Sequence, residues 1–242
     1  MDLTVLGSSG SYGSGTAGAC SGYLVEAGGT SLWLDCGNGT FPHLQQHVPV
    51  EELDAVVLTH EHPDHCVDIY GLHVLLRYGL ERSGLPVYAP EGVEKRLGAL
   101  VGDWGDAFDW NAVGDGDGVG VGDLALRFSR TDHPPPTYAV ELRGDGRRLV
   151  YTADTGPSWT VGAFGAGADL VLSEATYQEG RRGWPHHLTA ADAGSAAREA
   201  GAHRLMLTHL WPELDPVVSV AEGSEAFGEP VTLAAPHLVT RV

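Results

Sequence analysis

Ala55-Val-Val-Leu-Thr-His60-Glu-His62-Pro-Asp64-His65 is the stretch on which the reading of this chain turns. An apolar, β-branched run leads straight into three histidines and an aspartate at the spacing H-x-H-x-D-H. Side chains two apart on an extended segment face the same way, so His60 and His62 are expected to point together from the end of a strand. Asp64 and His65 then begin a helix, where a carboxylate is favoured by the helix dipole. Four ligand-type side chains in six residues thus converge as two pairs, which suggests two metal ions. A catalytic zinc usually takes three protein ligands, and a second ion needs further donors. A purely structural role would bury four polar groups without partners, which is costly.

Further donors occur in the same setting, each after an apolar run. His133 follows 124–130, Asp154 follows 149–152 and His209 follows 205–208. A lone histidine is more often a surface or core residue than a ligand. If these strands run side by side, however, their ends share an edge and the donors meet in space. Strand-sized apolar runs also occur at 3–6, 23–25, 31–34, 55–58, 138–142, 170–172 and 231–233, each bounded by turn residues, and so many predict two sheets. Between them, 64–78 reads as one helix with Cys66, Ile69, Tyr70, His73, Val74 and Arg77 along a stripe, and 91–100 as a shorter one. Thr189-Ala-Ala-Asp192 has the form of a capping box opening an Ala-rich helix that stops at Gly201. Asp215 caps a helix through Phe227 with Pro216 at its first position. The glycine- and aspartate-rich stretch 114–123 lacks the terminal glutamate and ligand spacing of a calcium loop and reads as a flexible, solvated hairpin.

Composition narrows the classes. The 242 residues are 43% apolar and only 19% charged, with six tryptophans, and no linker divides them, so residues 1–242 are read as one compact domain. Asp and Glu total 32 against 14 Lys and Arg, a formal charge of −18. That balance argues against a protein that grips long nucleic acid or an anionic membrane. No apolar run reaches the roughly 20 residues needed to cross a bilayer. Three cysteines in no paired spacing, with no signal segment visible, suggest the cytoplasm.

Thr59 to His65, with His133, Asp154 and His209 at increasing distance, resembles the metallo-β-lactamase superfamily of binuclear hydrolases. The resemblance covers essentially the whole chain, including the Gly7–Ser11 turn and Asp35-Cys-Gly37. It implies an α/β (α+β) fold, a four-layer αββα sandwich of two mixed β-sheets with the site at one edge. One ion would be held by His60, His62 and His133, the other by Asp64, His65 and His209, with Asp154 bridging both. N/O donors of this kind suit zinc first, with manganese or iron as alternatives. Cys66, beside His65, is read as a buried small residue rather than a ligand.

Ser173-Glu174-Ala175-Thr176-Tyr177 and His187-Leu188-Thr189 resemble the Glu-Ala-Thr and His-x-Thr motifs of the phosphodiesterase branch, which includes the tRNA 3′-processing endonucleases. By that similarity His187 contacts the scissile phosphate and protonates the leaving oxygen, and Glu174 orients it. Ser173 stands where the family usually has histidine, and His186 is read as a solvent-exposed neighbour. The short interval from His133 to Asp154 leaves no room for the basic arm of the tRNA enzymes. With the negative charge, this favours a small anionic phosphodiester. Asp64-His-Cys-Val-Asp-Ile-Tyr-Gly-Leu72, continuing to Leu76-Arg77-Tyr78, with Asp132-His133-Pro134 and Leu207-Thr-His-Leu210, resembles most the atypical class II cyclic-nucleotide phosphodiesterases, which implies a substrate such as a 3′,5′-cyclic nucleotide. The resemblance implies attack on phosphorus by hydroxide shared between the two ions, with Asp64 steering the nucleophile. Arg181, Arg182 and Trp184, in the loop before His187, are candidates to engage phosphate and stack on a base. Competing readings are an acyl hydrolase (a lactonase, thioesterase or β-lactamase) and a catalytically silent nucleotide or metal sensor. A homodimer is the default assembly.

Overall fold

The computed structural model describes residues 1–242. Alternation within the strands sets the layering. In β1 (Asp2–Gly7), β2 (Gly22–Ala27), β3 (Thr30–Leu34) and β4 (Ala55–Val57), one parity (Leu3, Val5, Tyr23, Val25, Leu32, Leu34, Val57) faces inward. The other parity (Leu24, Trp33, Val56) faces the helices outside. Both faces of each strand are therefore buried, which is why the runs read as continuously apolar rather than alternating.

The first sheet has the order β14-β1-β2-β3-β4-β5-β6, adding β5 (Leu85–Pro90), β6 (Phe108–Val113) and β14 (Val239–Arg241). The second has the order β13-β12-β11-β10-β9-β8-β7. Its members are β7 (Gly118–Val121), β8 (Leu124–Arg130), β9 (Tyr138–Gly144), β10 (Arg147–Tyr151), β11 (Leu170–Glu174), β12 (Leu205–Thr208) and β13 (Thr232–Leu233). Each sheet mixes antiparallel pairs at one end with parallel pairs at the other. Helices α1 (Thr40–Leu44), α2 (Pro63–Cys66), α3 (Ile69–Val74) and α4 (Val93–Val101) cover the first sheet, and α5 (Ala190–Glu199) and α6 (Pro216–Phe227) cover the second. The result is the four-layer αββα sandwich.

Several sequence expectations need correction. The helix read over 64–78 is broken. The main-chain N–H of Asp68 leaves the helical ladder to reach the Cys36 carbonyl at 2.8 Å, ending α2. Residues Leu75–Leu80 then form a π-turn, which rotates the buried stripe. Leu72 and Leu76 are buried, whereas Val74 is 55% exposed and Arg77 is exposed. Strands β5, β6, β7 and β14 were not anticipated. In β5, Pro86 and Pro90 mask the pattern, but they fall outside Val87 and Tyr88, the only positions pairing with β4. The stretch 114–123 is a hairpin as expected, although its second half is ordered as the edge strand β7.

Strands β8, β10, β11 and β12 all run in one sense, so the segments that follow them leave the second sheet at the same edge. The loop after β4 meets them there. Gly37 lets the segment after β3 pack against that loop: a Cβ on it would lie 2.1 Å from the Asp64 carbonyl oxygen and 2.6 Å from that of Ser21. Only glycine fits that gap.

Candidate metal and catalytic site

The two histidines of the H-x-H step do not stand on a strand. β4 ends at Val57, and His60 and His62 lie in the following loop, with His62 at the N-cap of α2 and Pro63 at its first position. They still converge: His60 Nε2 is 3.1 Å from His62 Nδ1, which is 3.2 Å from His133 Nε2. Asp154 Oδ2 approaches His60 Nε2 at 3.7 Å and His133 Nε2 at 3.8 Å. Its other oxygen, Oδ1, lies 3.2 Å from His65 Nε2 and 3.4 Å from His209 Nε2. Asp64 Oδ2 completes that second group, 3.2 Å from His209 Nε2 and 3.7 Å from His65 Nε2. Two donor sets thus share one aspartate.

The tautomers follow from what lies behind each ring. His133 Nδ1 faces the His186 carbonyl at 3.1 Å and His65 Nδ1 faces the Asp35 carboxylate at 2.8 Å; neither oxygen can donate, so each Nδ1 carries the hydrogen. Thr59 Oγ1 donates to Asp35 and so accepts from His60 Nδ1 at 3.1 Å. Thr176 Oγ1 donates to Glu174 at 2.7 Å and so accepts from His209 Nδ1 at 2.8 Å. In all four rings Nε2 is left to point a lone pair into the centre, as on metal-ligating histidines.

Lone pairs and carboxylates facing one another need a cation between them. Two of the atoms that point inward, His65 Nε2 and Asp154 Oδ1, are buried with no hydrogen-bond partner. The donor set of imidazole nitrogens and carboxylate oxygens therefore fits divalent metal ions. The electrostatics agree. Burial holds His60 well below the usual histidine range and lowers His133 to about 4, so both are neutral rings ready to ligate. Burial also disfavours a proton on His65, but the carboxylates of Asp154, Asp35 and Asp64 outweigh it and raise that ring well above the ordinary value. Positive charge is what this point in the molecule calls for.

Backbone strain accompanies the site. Asp35, Ala153 and His209 have φ of 57°, 50° and 57°, the left-handed region that side-chain-bearing residues rarely adopt.

A family described as Beta-lactamase superfamily domain matches residues 30–210. The chain belongs to the metallo-β-lactamase superfamily. The Probable metallo-hydrolase YhfI of Bacillus subtilis is 33% identical over 215 residues, covering 87% of each chain. Its crystal structure aligns with a TM-score of 0.90 and 30% identity over 99% of each chain. The protein ML1173 of Mycobacterium leprae is 36% identical over 234 residues, covering 91% of this chain and 82% of that one. Ribonuclease Z of Methanopyrus kandleri is 30% identical over 260 residues, covering 91% of each. These similarities make the chain a metal-dependent hydrolase of that superfamily.

Within that superfamily fold, His187 stands beside the cage. One of its ring nitrogens lies within 4.8 Å of ligand atoms of Asp154 and His209. Its Nδ1 is 3.0 Å from Glu174 Oε1. Burial favours the neutral ring, but the charge and hydrogen bond of Glu174 outweigh it and raise His187 to about 9. Glu174 is fully buried, and Thr155 N–H and Leu188 N–H also donate to it, at 2.7 and 3.2 Å. Ser173 turns its hydroxyl to the Glu174 carbonyl at 2.9 Å and so supplies no imidazole to the site. His186 is not the free surface residue expected, for its ring sits by Asp132 and its carbonyl orients His133.

The three loop candidates part company. Trp184, 44% exposed, lies 5.3 Å from the His133 ring and 5.6 Å from the His187 ring, at the mouth of the site. The Arg182 guanidinium is engaged with Asp192 at 2.7 Å and Glu179 at 3.0 Å, which removes it as a free phosphate clamp. Arg181 is exposed. Cys66 is buried, its thiol donating to the Glu61 carbonyl and pushed up to about 12 by burial, which keeps it out of the ligand set. Sequence reasoning missed the roles of Asp35 and Thr176. Asp35 is fully buried and accepts from Thr59, His65 and Tyr151 at once. An aspartate isolated between a strand and Cys36-Gly37 was the available signal.

Proposed function

We infer that the chain is a phosphodiesterase with two divalent ions, zinc in the first place, acting on a small phosphodiester such as a 3′,5′-cyclic nucleotide. His60, His62 and His133 would hold one ion, Asp64, His65 and His209 the other, and Asp154 would be shared. Such ions, when bound, supply an activated water near neutral pH and neutralise the charge of a phosphate.

The observation that carries the reading is the Glu174–His187 pair. An acyl transfer with a good leaving group needs no strong proton donor at this point, whereas an alkoxide leaving phosphorus does. With Nδ1 committed to Glu174, the proton offered to substrate is the one on Nε2. Glu174 keeps the ring charged before the step and stabilises its orientation after the proton has gone. Asp64, 12% exposed and fixed by the Ser11 N–H at 2.9 Å, lies where it can orient the attacking water. Trp184 offers a flat apolar face at the mouth for a base. The small size of substrate is supported by the direct β9–β10 hairpin through Asp145 and Gly146, which carries no arm, and by the charge of −18.

The test is a four-substrate assay on one purified sample whose metal content is measured in parallel. Bis(p-nitrophenyl) phosphate and 3′,5′-cyclic AMP are expected to turn over, with close to two ions per chain. Turnover of only a homoserine lactone or a chromogenic cephalosporin would overturn the phosphodiesterase reading. Activity on precursor tRNA alone would overturn the small-substrate part of it.

A further inference from the structure

Two polar residues at the rim of the cage each stand beside a group already placed. Asp132 directly precedes His133, a proposed ligand, and His186 directly precedes His187, the proposed proton donor. The side chains are 32% and 34% exposed. Groups so open to water have solvent to bond with, yet both spend their polar atoms on protein.

The His186 ring Nδ1 lies 3.2 Å from Asp132 Oδ1 and 3.2 Å from the Asp132 carbonyl oxygen. Neither oxygen donates, so Nδ1 carries a hydrogen directed at the two. The other carboxylate oxygen, Oδ2, accepts from the Ser158 hydroxyl. His186 in turn gives its carbonyl to His133 Nδ1 at 3.1 Å. Asp132-His133 and His186-His187 are thus clasped twice, ring to carboxylate and carbonyl to ring, across 54 positions of sequence.

A third segment closes the same node. The Asp132 carbonyl accepts the Gly156 N–H at 2.8 Å, and the Asp132 N–H donates to Thr155 Oγ1 at 3.3 Å. Thr155 directly follows Asp154, and its own N–H is the one bonded to Glu174. There is no room to spare between the segments. A Cβ on Gly156 would lie 2.6 Å from Asp132 Oδ2, 2.7 Å from the Pro185 carbonyl oxygen and 3.1 Å from His186 Cα. Packing this close transmits displacement rather than absorbing it.

A metal-ligating imidazole is aimed by the acceptor behind its other nitrogen. For His60, His65 and His209 that acceptor is a buried side chain, on Thr59, Asp35 and Thr176. For His133 it is a main-chain carbonyl in a turn that belongs to no strand or helix. Such a carbonyl keeps its direction only if the turn is fastened, and the Asp132–His186 bond fastens it. The same turn leads straight into His187.

We propose that Asp132 is a positioning residue, which acts through His186 to aim His133 at one ion and to hold His187 beside the cage. The proposal rests on the two-ion reading above. Asp132 meets neither ion nor substrate; it sets the angle of one ligand and the place of the acid together.

The experiment is competition for zinc between the full chain and a chromophoric chelator. It compares wild type with Asp132→Ala, Asp132→Asn, His186→Ala and the double alanine variant. Asp132→Ala is expected to weaken one of the two ions about 10–100-fold, the usual worth of such a partner, and to leave the other near its wild-type affinity. Asp132→Asn keeps an oxygen for the His186 N–H and should recover most of the loss. His186→Ala should cost about as much as Asp132→Ala, and the double variant no more than either, because both remove the same bond. At saturating zinc, kcat of Asp132→Ala on a phosphodiester with an alkoxide leaving group should fall while KM holds. Wild-type affinity for both ions in Asp132→Ala would overturn the positioning role. So would losses that add in the double variant, or an Asp132→Asn chain as impaired as Asp132→Ala. A KM that rises with zinc affinity unchanged would overturn it by placing the pair against substrate. A wild-type chain that takes up no zinc would overturn the two-ion reading and the proposal with it, so the two failures are told apart.

Discussion

At Glu174 a carboxylate with no exposed surface accepts the Thr155 N–H and the ring N–H of His187, and through that second bond the ring keeps its proton at neutral pH. The consequence is testable by leaving group. His187→Ala is expected to slow hydrolysis of a phosphodiester with an unactivated alkoxide leaving group by about 10²–10⁴-fold, the usual worth of a positioned acid. A p-nitrophenyl ester, whose leaving group departs unprotonated, should slow far less, and metal content should stay as in wild type. Equal slowing of both substrates would mean that His187 delivers no proton. At this scale the candidate ligands were legible because all seven are histidine or aspartate placed directly after apolar runs or within one compact cluster. The groups behind them were not. Asp35, Thr59, Thr176 and the His186 carbonyl are ordinary residues until folding sets them against a ring nitrogen, and no local pattern announces that contact.

Among the elements, the caps of α5 and α6 were readable because they depend on neighbours within four residues. Thr189 and Asp192 form the reciprocal capping box, and Asp215 accepts from the Val217 N–H at 3.0 Å. The interruption between α2 and α3 was hidden, since it comes from a carbonyl at Cys36, far from the helix in sequence. Helix packing gives a second prediction. In α5, Gly194 faces α6 so closely that a Cβ would lie 2.5 Å from the Gly223 carbonyl oxygen and 2.8 Å from the Ala226 Cβ. By helix propensity alone, Gly194→Ala would stabilise by about 1 kcal/mol. The clash is expected to reverse the sign, for a net loss of about 1–3 kcal/mol, read as a lower urea midpoint with unchanged slope. A raised midpoint would show that the two helices can separate at little cost.

Across the whole molecule, charge and metal govern stability under changing conditions. Glu141 in β9 is fully buried and bonded to Arg143 Nε at 3.1 Å and to Arg148. Burial pushes its carboxyl up, but the two arginines outweigh it and hold it below the usual range. A depressed carboxylate contributes stability above its unfolded pKa of about 4.3, and that contribution is lost as pH falls through the lower folded value. Glu141→Gln should therefore lower stability at neutral pH by about 1–3 kcal/mol, discounted for the half-exposed Arg143. The gap to wild type should close in thermal scans taken below about pH 4; a gap that widened in acid would contradict the assignment. Chelation is the other lever. With His65 Nε2 and Asp154 Oδ1 buried and unpartnered, removing bound ions should lower the Tm measured by calorimetry. The loss would be of order 2.7 kcal/mol for an ion present at a hundredfold its Kd. An unchanged Tm would mean that the cage holds no ion. What the residue order determined by itself was local or periodic: the apolar parities that make two sheets, the capped helices, and the ligand-rich turn after β4. The grouping of the seven donors with Asp154 between the two sets was implied by the resemblance; only the tertiary structure decided which oxygen of Asp154 faces each set, which nitrogen of each ring faces inward, and that His237 meets His43 and His47. Those outcomes depend on distances between segments up to about two hundred residues apart, and such distances are set by how sheets and helices pack, not by spacing along the chain.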